Sequence, residues 1–169
     1  MAAAKKEGYA ITLHLDAKTR THIDEFSTSN FLALKAPSAE GGKPTLVVPT
    51  SPSILKSVTT KSIVGIAKDL LGWDVELRAV RFDEVTSGAF AEVAACGTAA
   101  ALTPVRSITY LDGNEAGGEM RKVKLGDGEK AGPYFLQMLS MLTGIQAGDV
   151  KQDFGWCWPA EGLDSAKFA

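Results

Sequence analysis

The chain has 169 residues, 45% hydrophobic and 22% charged, with 18 Lys plus Arg against 20 Asp plus Glu and a formal net charge of −2. That length suits one domain with a proper buried core, and the near balance of charge excludes the basic face that nucleic acid or an anionic membrane would select. No apolar run approaches membrane-spanning length, Met1–Lys6 lacks the apolar centre of a signal peptide, and Cys96 and Cys157 have neither CxxC nor metal-ligand spacing.

The expectation is therefore a single cytoplasmic domain over residues 1–169 with two small, buried, reduced thiols. Ala2–Lys6 reads as a helical turn. Ile11, Leu13 and Leu15 alternate with Thr12 and His14, the pattern of a half-buried strand. Asp16–Arg20 is a polar turn and Thr21–Phe26 a return strand, so the two form a hairpin, with His14 and His22 on its surface. Strict alternation puts Ile23, Glu25 and Ser27 on one face and His22, Asp24 and Phe26 on the other. If Ile23 points inward, Glu25 does too, and an inward carboxylate needs a cation or strong donors. The plainer alternative is an edge position.

Asn30–Leu34 is a further strand, and Pro37–Pro44 a Gly-rich hairpin loop. Leu46-Val47-Val48 is a β-branched run closed by Pro49 and Pro52. From Thr59 the residues Ile63, Val64, Ile66, Ala67, Leu70 and Leu71 recur at helical spacing, with Gly72 at the cap. Between strand and helix, Ser53–Thr60 is crowded with hydroxyls and carries Lys56. Free amides and the positive end of the helix dipole make such a segment an anion site, above all for phosphate; alternatively Ser57 or Thr59 simply caps the helix.

Asp74–Val80 reads as a strand and Phe82–Phe90 as a short helix opened by Asp83-Glu84 and ending near Gly88. Glu92–Cys96 is a small, apolar, buried strand running into Gly97-Thr98, which makes either an anion-binding nest or a plain tight turn. Val105–Tyr110 is a strand and the glycine-rich Leu111–Lys130 a loop or hairpin. Pro133 opens a helix over Tyr134–Ile145 with Phe135, Leu136, Leu139 and Leu142 inward, and the aromatic tail Phe154–Pro159 packs onto the body. With no repeat, GxGxxG or metal cluster, the pattern is α+β or α/β: a mixed sheet with three helices.

Three ordered stretches resemble one family. Ile23–Phe31 (IDEFSTSNF) is similar to an E-x-G-x-x-N-x-F segment, Leu46–Pro49 with Ser53–Thr59 to a T-P-P…S-I-L-P-G-V/I-T phosphate cup, and Cys96–Val105 to an S-G-T-A…P-V segment. Gly155–Pro159 is similar to the same family's closing aromatic run. Together they resemble the C-terminal domain of branched-chain aminotransferases, the class IV group that depends on pyridoxal 5′-phosphate. The resemblance runs from about Ala10 to Pro159. It implies that domain's mixed sheet, and amino transfer between hydrophobic or branched-chain L-amino acids and 2-oxo acids. It also implies roles. Glu25 would face the pyridine nitrogen and Leu55 a face of the ring. Val58, Thr59 and Thr98 would hold the phosphate. The Thr98-Ala99 turn would take the substrate carboxylate, and Thr28 would lie on the substrate side.

The chain also departs from that pattern. The family's Schiff-base lysine would lie upstream of Met1, with the N-terminal domain and its phosphate-binding arginine, so weak or lost cofactor binding and no catalytic residue are expected here. Lys56-Ser57 replaces Pro-Gly in the cup, Ser27 replaces a glycine, and the redox cysteines of some members fall at Ala100 and Thr103. The expected partners are an amino acid or 2-oxo acid, and a second copy or a full-length aminotransferase, with no nucleic acid or membrane. A non-catalytic partner-binding domain and a repurposed small-molecule domain are the alternatives.

Overall fold

In the computed structural model, residues 2–113 and 117–157 are described. Nine strands follow among them in chain order: β1 (Leu13–Leu15), β2 (Ile23–Phe26), β3 (Ser29–Lys35), β4 (Thr45–Pro49), β5 (Asp74–Arg78), β6 (Glu92–Gly97), β7 (Ala101–Pro104), β8 (Ser107–Asp112) and β9 (Glu119–Lys124). The helices are α1 (Ala2–Lys6), α2 (Val58–Gly65), α3 (Phe82–Thr86) and α4 (Pro133–Ala147), and α2 runs on as a π-helical turn over Ile66–Leu70. The mixed α+β architecture expected from the sequence is the one observed.

Strands β1 to β7 form one sheet, and β8–β9 a separate hairpin. β3 organises the sheet. Along one edge it pairs β6 antiparallel from Asn30↔Cys96 to Leu34↔Glu92. Along the other edge β2 takes its first residues (Glu25↔Asn30) and β4 its last (Ala33↔Val47 to Lys35↔Thr45), so a notch opens between β2 and β4. β4 and β5 are parallel, Thr45↔Asp74 to Pro49↔Arg78. A parallel pair cannot be closed by a tight turn. Here α2 and its π-helical continuation make the crossover, which sets the N-terminus of α2 just beyond the end of β4.

Alternation along β3 divides the core. Leu32 and Leu34 face α2 and α4 with Leu46, Ile63, Ile66, Phe135 and Met138, whereas Phe31 and Ala33 face α3 and β8 with Val47, Val85, Phe90 and Ile108.

Several expectations are corrected. Leu13 pairs Phe26 and Leu15 pairs Ile23, so the register between β1 and β2 shifts by one residue and β2 carries a bulge. Ile23 and Phe26 consequently enter the same core, and Glu25 does not share the face of Ile23. On α4 the buried residues are Phe135, Met138, Leu142 and Ile145; Leu136 is 50% exposed and Leu139 only partly covered. The helix expected to end near Gly88 ends at Thr86, and of the two readings of Leu111–Lys130 the hairpin is the one observed, with β9 as its second strand. Cys157 is exposed rather than buried. Phe154 and Trp156 stack with ring centroids 4.1 Å apart and lie over Gly65 of α2, while the Trp158 and Pro159 of the expected tail fall outside the described residues.

Candidate functional site

The β2 bulge decides the site. Glu25 lies opposite Asn30, which shares its face of β3 with Leu32 and Leu34, so the carboxylate points toward α2 and the loop preceding it. Three groups meet there. Asn30 Nδ2 donates to Glu25 Oε2 at 3.2 Å and to the Leu55 carbonyl at 3.1 Å. The Leu55 N–H points at the same Glu25 oxygen from 3.4 Å. Thr60 Oγ1 donates to Asn30 Oδ1 at 3.2 Å and lies 3.7 Å from Cys96 Sγ. The carboxylate is met by two neutral donors, at 3.2 and 3.4 Å, one from β3 and one from the cup loop.

Asn30, within the quoted E-x-G-x-x-N segment, and Thr60, at the end of the hydroxyl-rich loop, are site residues to which the sequence reading gives no role. A signal for Asn30 exists: it is a polar residue in phase with buried Leu32 and Leu34, and a buried amide is held by partners. Thr60 has no comparable signal, because its partner is 30 positions away.

The cup loop ends at α2. Ser57 Oγ accepts the Thr60 N–H at 3.1 Å, so Ser57 caps the helix. Its backbone is extended, φ −102° and ψ 130°, a conformation open to any residue. Serine in place of the family's glycine therefore costs no strain here. Val58 and Thr59 occupy the first turn, where amides lack intrahelical acceptors. Leu55 and Val58 are 76% and 82% exposed. Apolar side chains presented so openly beside a fixed carboxylate are available to an apolar face of a ligand.

Thr98 and Ala99 lie in the turn of the β6–β7 hairpin, Gly97↔Ala101 being its last pair and Ala101 taking φ 50°. Both are exposed and stand just past Cys96, which touches Thr60. The turn lies against the Thr28–Ser29 turn: a Cβ on Gly97 would come within 3.4 Å of Ser29 Cβ and 3.8 Å of the Thr28 carbonyl. Thr28 and Thr98 are thus on adjoining turns, whereas Glu25, Asn30, Leu55 and Thr60 form the bonded cluster. Ser27, the other glycine replacement, anchors its turn to β1, its N–H donating to the Thr12 carbonyl at 2.9 Å.

The Amino-transferase class IV family model matches residues 1–108. The chain belongs to the class IV aminotransferase family. Among curated relatives of this class IV chain, "Aminotransferase atnJ" of Emericella nidulans is 47% identical over 154 residues, covering 90% of this chain and 42% of the relative. "Transaminase AMT5" of Alternaria alternata is 38% identical over 168 residues, covering 99% and 42%. Among solved structures, the branched-chain amino acid aminotransferase of Escherichia coli superposes with a TM-score of 0.71 at 26% identity, covering 92% of this chain and 44% of that one. The branched-chain amino acid aminotransferase of Thermobaculum terrenum, solved in its PLP form, shares the fold with a TM-score of 0.65 at 22% identity, covering 88% and 41%. The class IV chain spans about two-fifths of the length of the curated relatives it matches. Among its described residues no helix is long and apolar enough to cross a membrane, and no group of three metal-ligand side chains occurs.

Proposed function

We propose that this chain forms the cofactor cup of a pyridoxal-phosphate-dependent aminotransferase acting on hydrophobic or branched-chain amino acids and 2-oxo acids. One observation carries the reading. A carboxylate fixed by Asn30, an exposed leucine and the first turn of a helix converge within one loop, as a pyridine nitrogen, a ring face and a phosphate would require.

When bound, pyridoxal phosphate supplies an electron sink for bond cleavage at the amino acid's α-carbon. Glu25 would face the ring nitrogen and favour its protonated form, its bonds to Asn30 and Leu55 fixing the carboxylate. Leu55 would lie against a face of the ring. The amides of Val58 and Thr59, with the Thr59 and Thr98 hydroxyls, would hold the phosphate, with Lys56 adding charge nearby. The Thr98-Ala99 turn would orient the substrate carboxylate, and Thr28 would border the substrate. A second copy or a full-length aminotransferase would cover Leu55 and Val58, consistent with their exposure. The whole assembles as one domain in the cytosol.

Calorimetric titration of the full chain with pyridoxal phosphate tests this. One site is expected, weakened about tenfold by Thr59→Val or Thr98→Val and by Glu25→Gln, each removing one charge-assisted or hydroxyl contact. No saturable binding, or binding indifferent to all three substitutions, would reduce the cup to a capped helix.

A further inference from the structure

Thr60 stands third in α2, where a hydroxyl ordinarily bonds back to its own helix, as Ser62 Oγ does to the Val58 carbonyl. Thr60 Oγ1 instead leaves the helix for the sheet, meeting Asn30 Oδ1 at 3.2 Å and Cys96 Sγ at 3.7 Å. Asn30 and Cys96 are opposite partners on β3 and β6, both buried. The direction of each bond follows from the hydrogens available. Both amide hydrogens of Asn30 go to acceptors, the Glu25 carboxylate and the Leu55 carbonyl. Its Oδ1 therefore needs a donor, and the single hydroxyl hydrogen of Thr60 supplies it. None is then left on Thr60 for Cys96, so the thiol donates to the hydroxyl. Burial pushes the Cys96 thiol up, which keeps it protonated and able to do so.

We infer that Thr60 is a positioning residue for Glu25, acting through Asn30 in a one-way series of donors that runs from Cys96 to Thr60 to Asn30 to Glu25. The series crosses four elements, β6, α2, β3 and β2, and ties the first turn of α2 to the carboxylate. Each donor polarises the next, so the Asn30 amide reaches Glu25 as a stronger donor than an isolated asparagine would be. With the Thr60 hydroxyl removed, Asn30 Oδ1 is left buried without a donor, and the amide shifts to find one and releases Glu25. Where Glu25 faces a ring nitrogen, Thr60 governs that contact through Asn30. This consequence rests on the function proposed above, whereas the donor series does not.

Urea melts of the full chain, without cofactor, test the series directly. Thr60 and Glu25 share no hydrogen bond among the described residues, so independent effects of Thr60→Val and Glu25→Ala would add. The expectation is coupling: Thr60→Val should lower the unfolding midpoint roughly half as much in the Glu25→Ala background as alone. Thr60→Ala gives the same comparison if the valine variant fails to fold. Calorimetry then reads the consequence. Pyridoxal phosphate should bind Thr60→Val about fivefold more weakly, and Thr60→Ser, which keeps the hydroxyl, as tightly as the parent. Benzyl phosphate has a phosphate and a ring but no ring nitrogen, so Thr60→Val should leave its affinity unchanged. In the Glu25→Gln background, Thr60→Val should have no further effect on pyridoxal phosphate. Additive urea midpoints overturn the inference. So does an unchanged pyridoxal phosphate affinity in Thr60→Val, an equal loss for both phosphates, or a loss that Thr60→Ser does not restore. Coupled midpoints in a chain that binds neither phosphate would support the donor series and refute the cofactor cup.

Discussion

Glu92, the first residue of β6, accepts the backbone N–H of Phe135 through Oε2 at 2.9 Å, and its Oε1 accepts that of Tyr134 at 3.0 Å. One buried side chain thereby caps α4 from a strand 42 positions before Tyr134, satisfying two first-turn amides and placing negative charge at the positive end of the helix dipole. A Cβ on Gly132 would overlap the Glu92 carboxyl group, so glycine is required before the helix. Glu92→Gln should cost about 1–2 kcal/mol and Gly132→Ala about 1–3 kcal/mol in urea melts, with α4 the affected element in hydrogen exchange.

Asn30 makes three side-chain bonds, to Glu25, the Leu55 carbonyl and Thr60. Asn30→Ala should lose about 1.5–3 kcal/mol of stability, the sum expected for that many modest bonds. Asn30→Asp is the sharper experiment, because it sets a second carboxylate beside Glu25. Like charges so close oppose joint ionisation, so its destabilisation should be large at pH ~7 and shrink as the pH falls toward ~4. Chemical melts at the two pH values separate this from simple loss of packing.

Acid sensitivity follows from carboxylates held below their ordinary range, among them Asp16, Glu76 and Glu84. The Thr19 hydroxyl at 2.6 Å, then the amides of His22, Thr19 and Thr21, hold Asp16 well below the usual carboxylate range. Arg78 and then Lys35 lower Glu76, and Arg78 lowers Glu84. Each folded-state value is depressed, so the unfolded chain binds more protons in acid. Their stabilisation is present in full above the unfolded carboxylate values near pH ~4 and is lost as pH falls through the lower folded values. Thermal melts from about pH 7 to about pH 2 should show a falling midpoint, with a shallower fall in Asp16→Asn and Arg78→Met.

The two thiols should differ in reactivity. Burial pushes the Cys96 thiol up, only partly offset by the Thr60 hydroxyl, whereas Cys157 is exposed. A disulfide reagent at about pH 8 should titrate one thiol fast and the second only on unfolding, and Cys157→Ser should remove the fast phase.

Much of the fold is legible because it is written in periodicity. The alternation of Ile11, Leu13 and Leu15, the helical recurrence from Ile63 to Leu71 and the breaks at Pro49 and Gly72 all correspond to observed elements. The β2 bulge is not legible, since one extra residue leaves composition and alternation unchanged while reversing the side to which Glu25 points. The inward set of α4 is misassigned at Leu136 for a related reason. Met138 and Ile145 complete the buried stripe with Phe135 and Leu142, and an almost continuously apolar helix gives little contrast by which to choose its face. The cluster around Glu25 is half legible. Glu25 and Leu55 are visible as a motif, but Asn30 and Thr60 act through contacts that only the folded chain creates.

β3 also has a consequence for how the chain reaches this structure. The hairpins β2–β3, β3–β4 and β6–β7 close over short loops and can form early and independently. The pairing of β3 with β6, Leu34 with Glu92 and Asn30 with Cys96, must wait until the crossover and α3 have been gathered between them. The entropy of closing that long loop is spent before any β3–β6 contact repays it. Folding speed is therefore set at this seam: truncating Leu32 should slow refolding, whereas truncating Leu13 in the outer hairpin should mainly quicken unfolding.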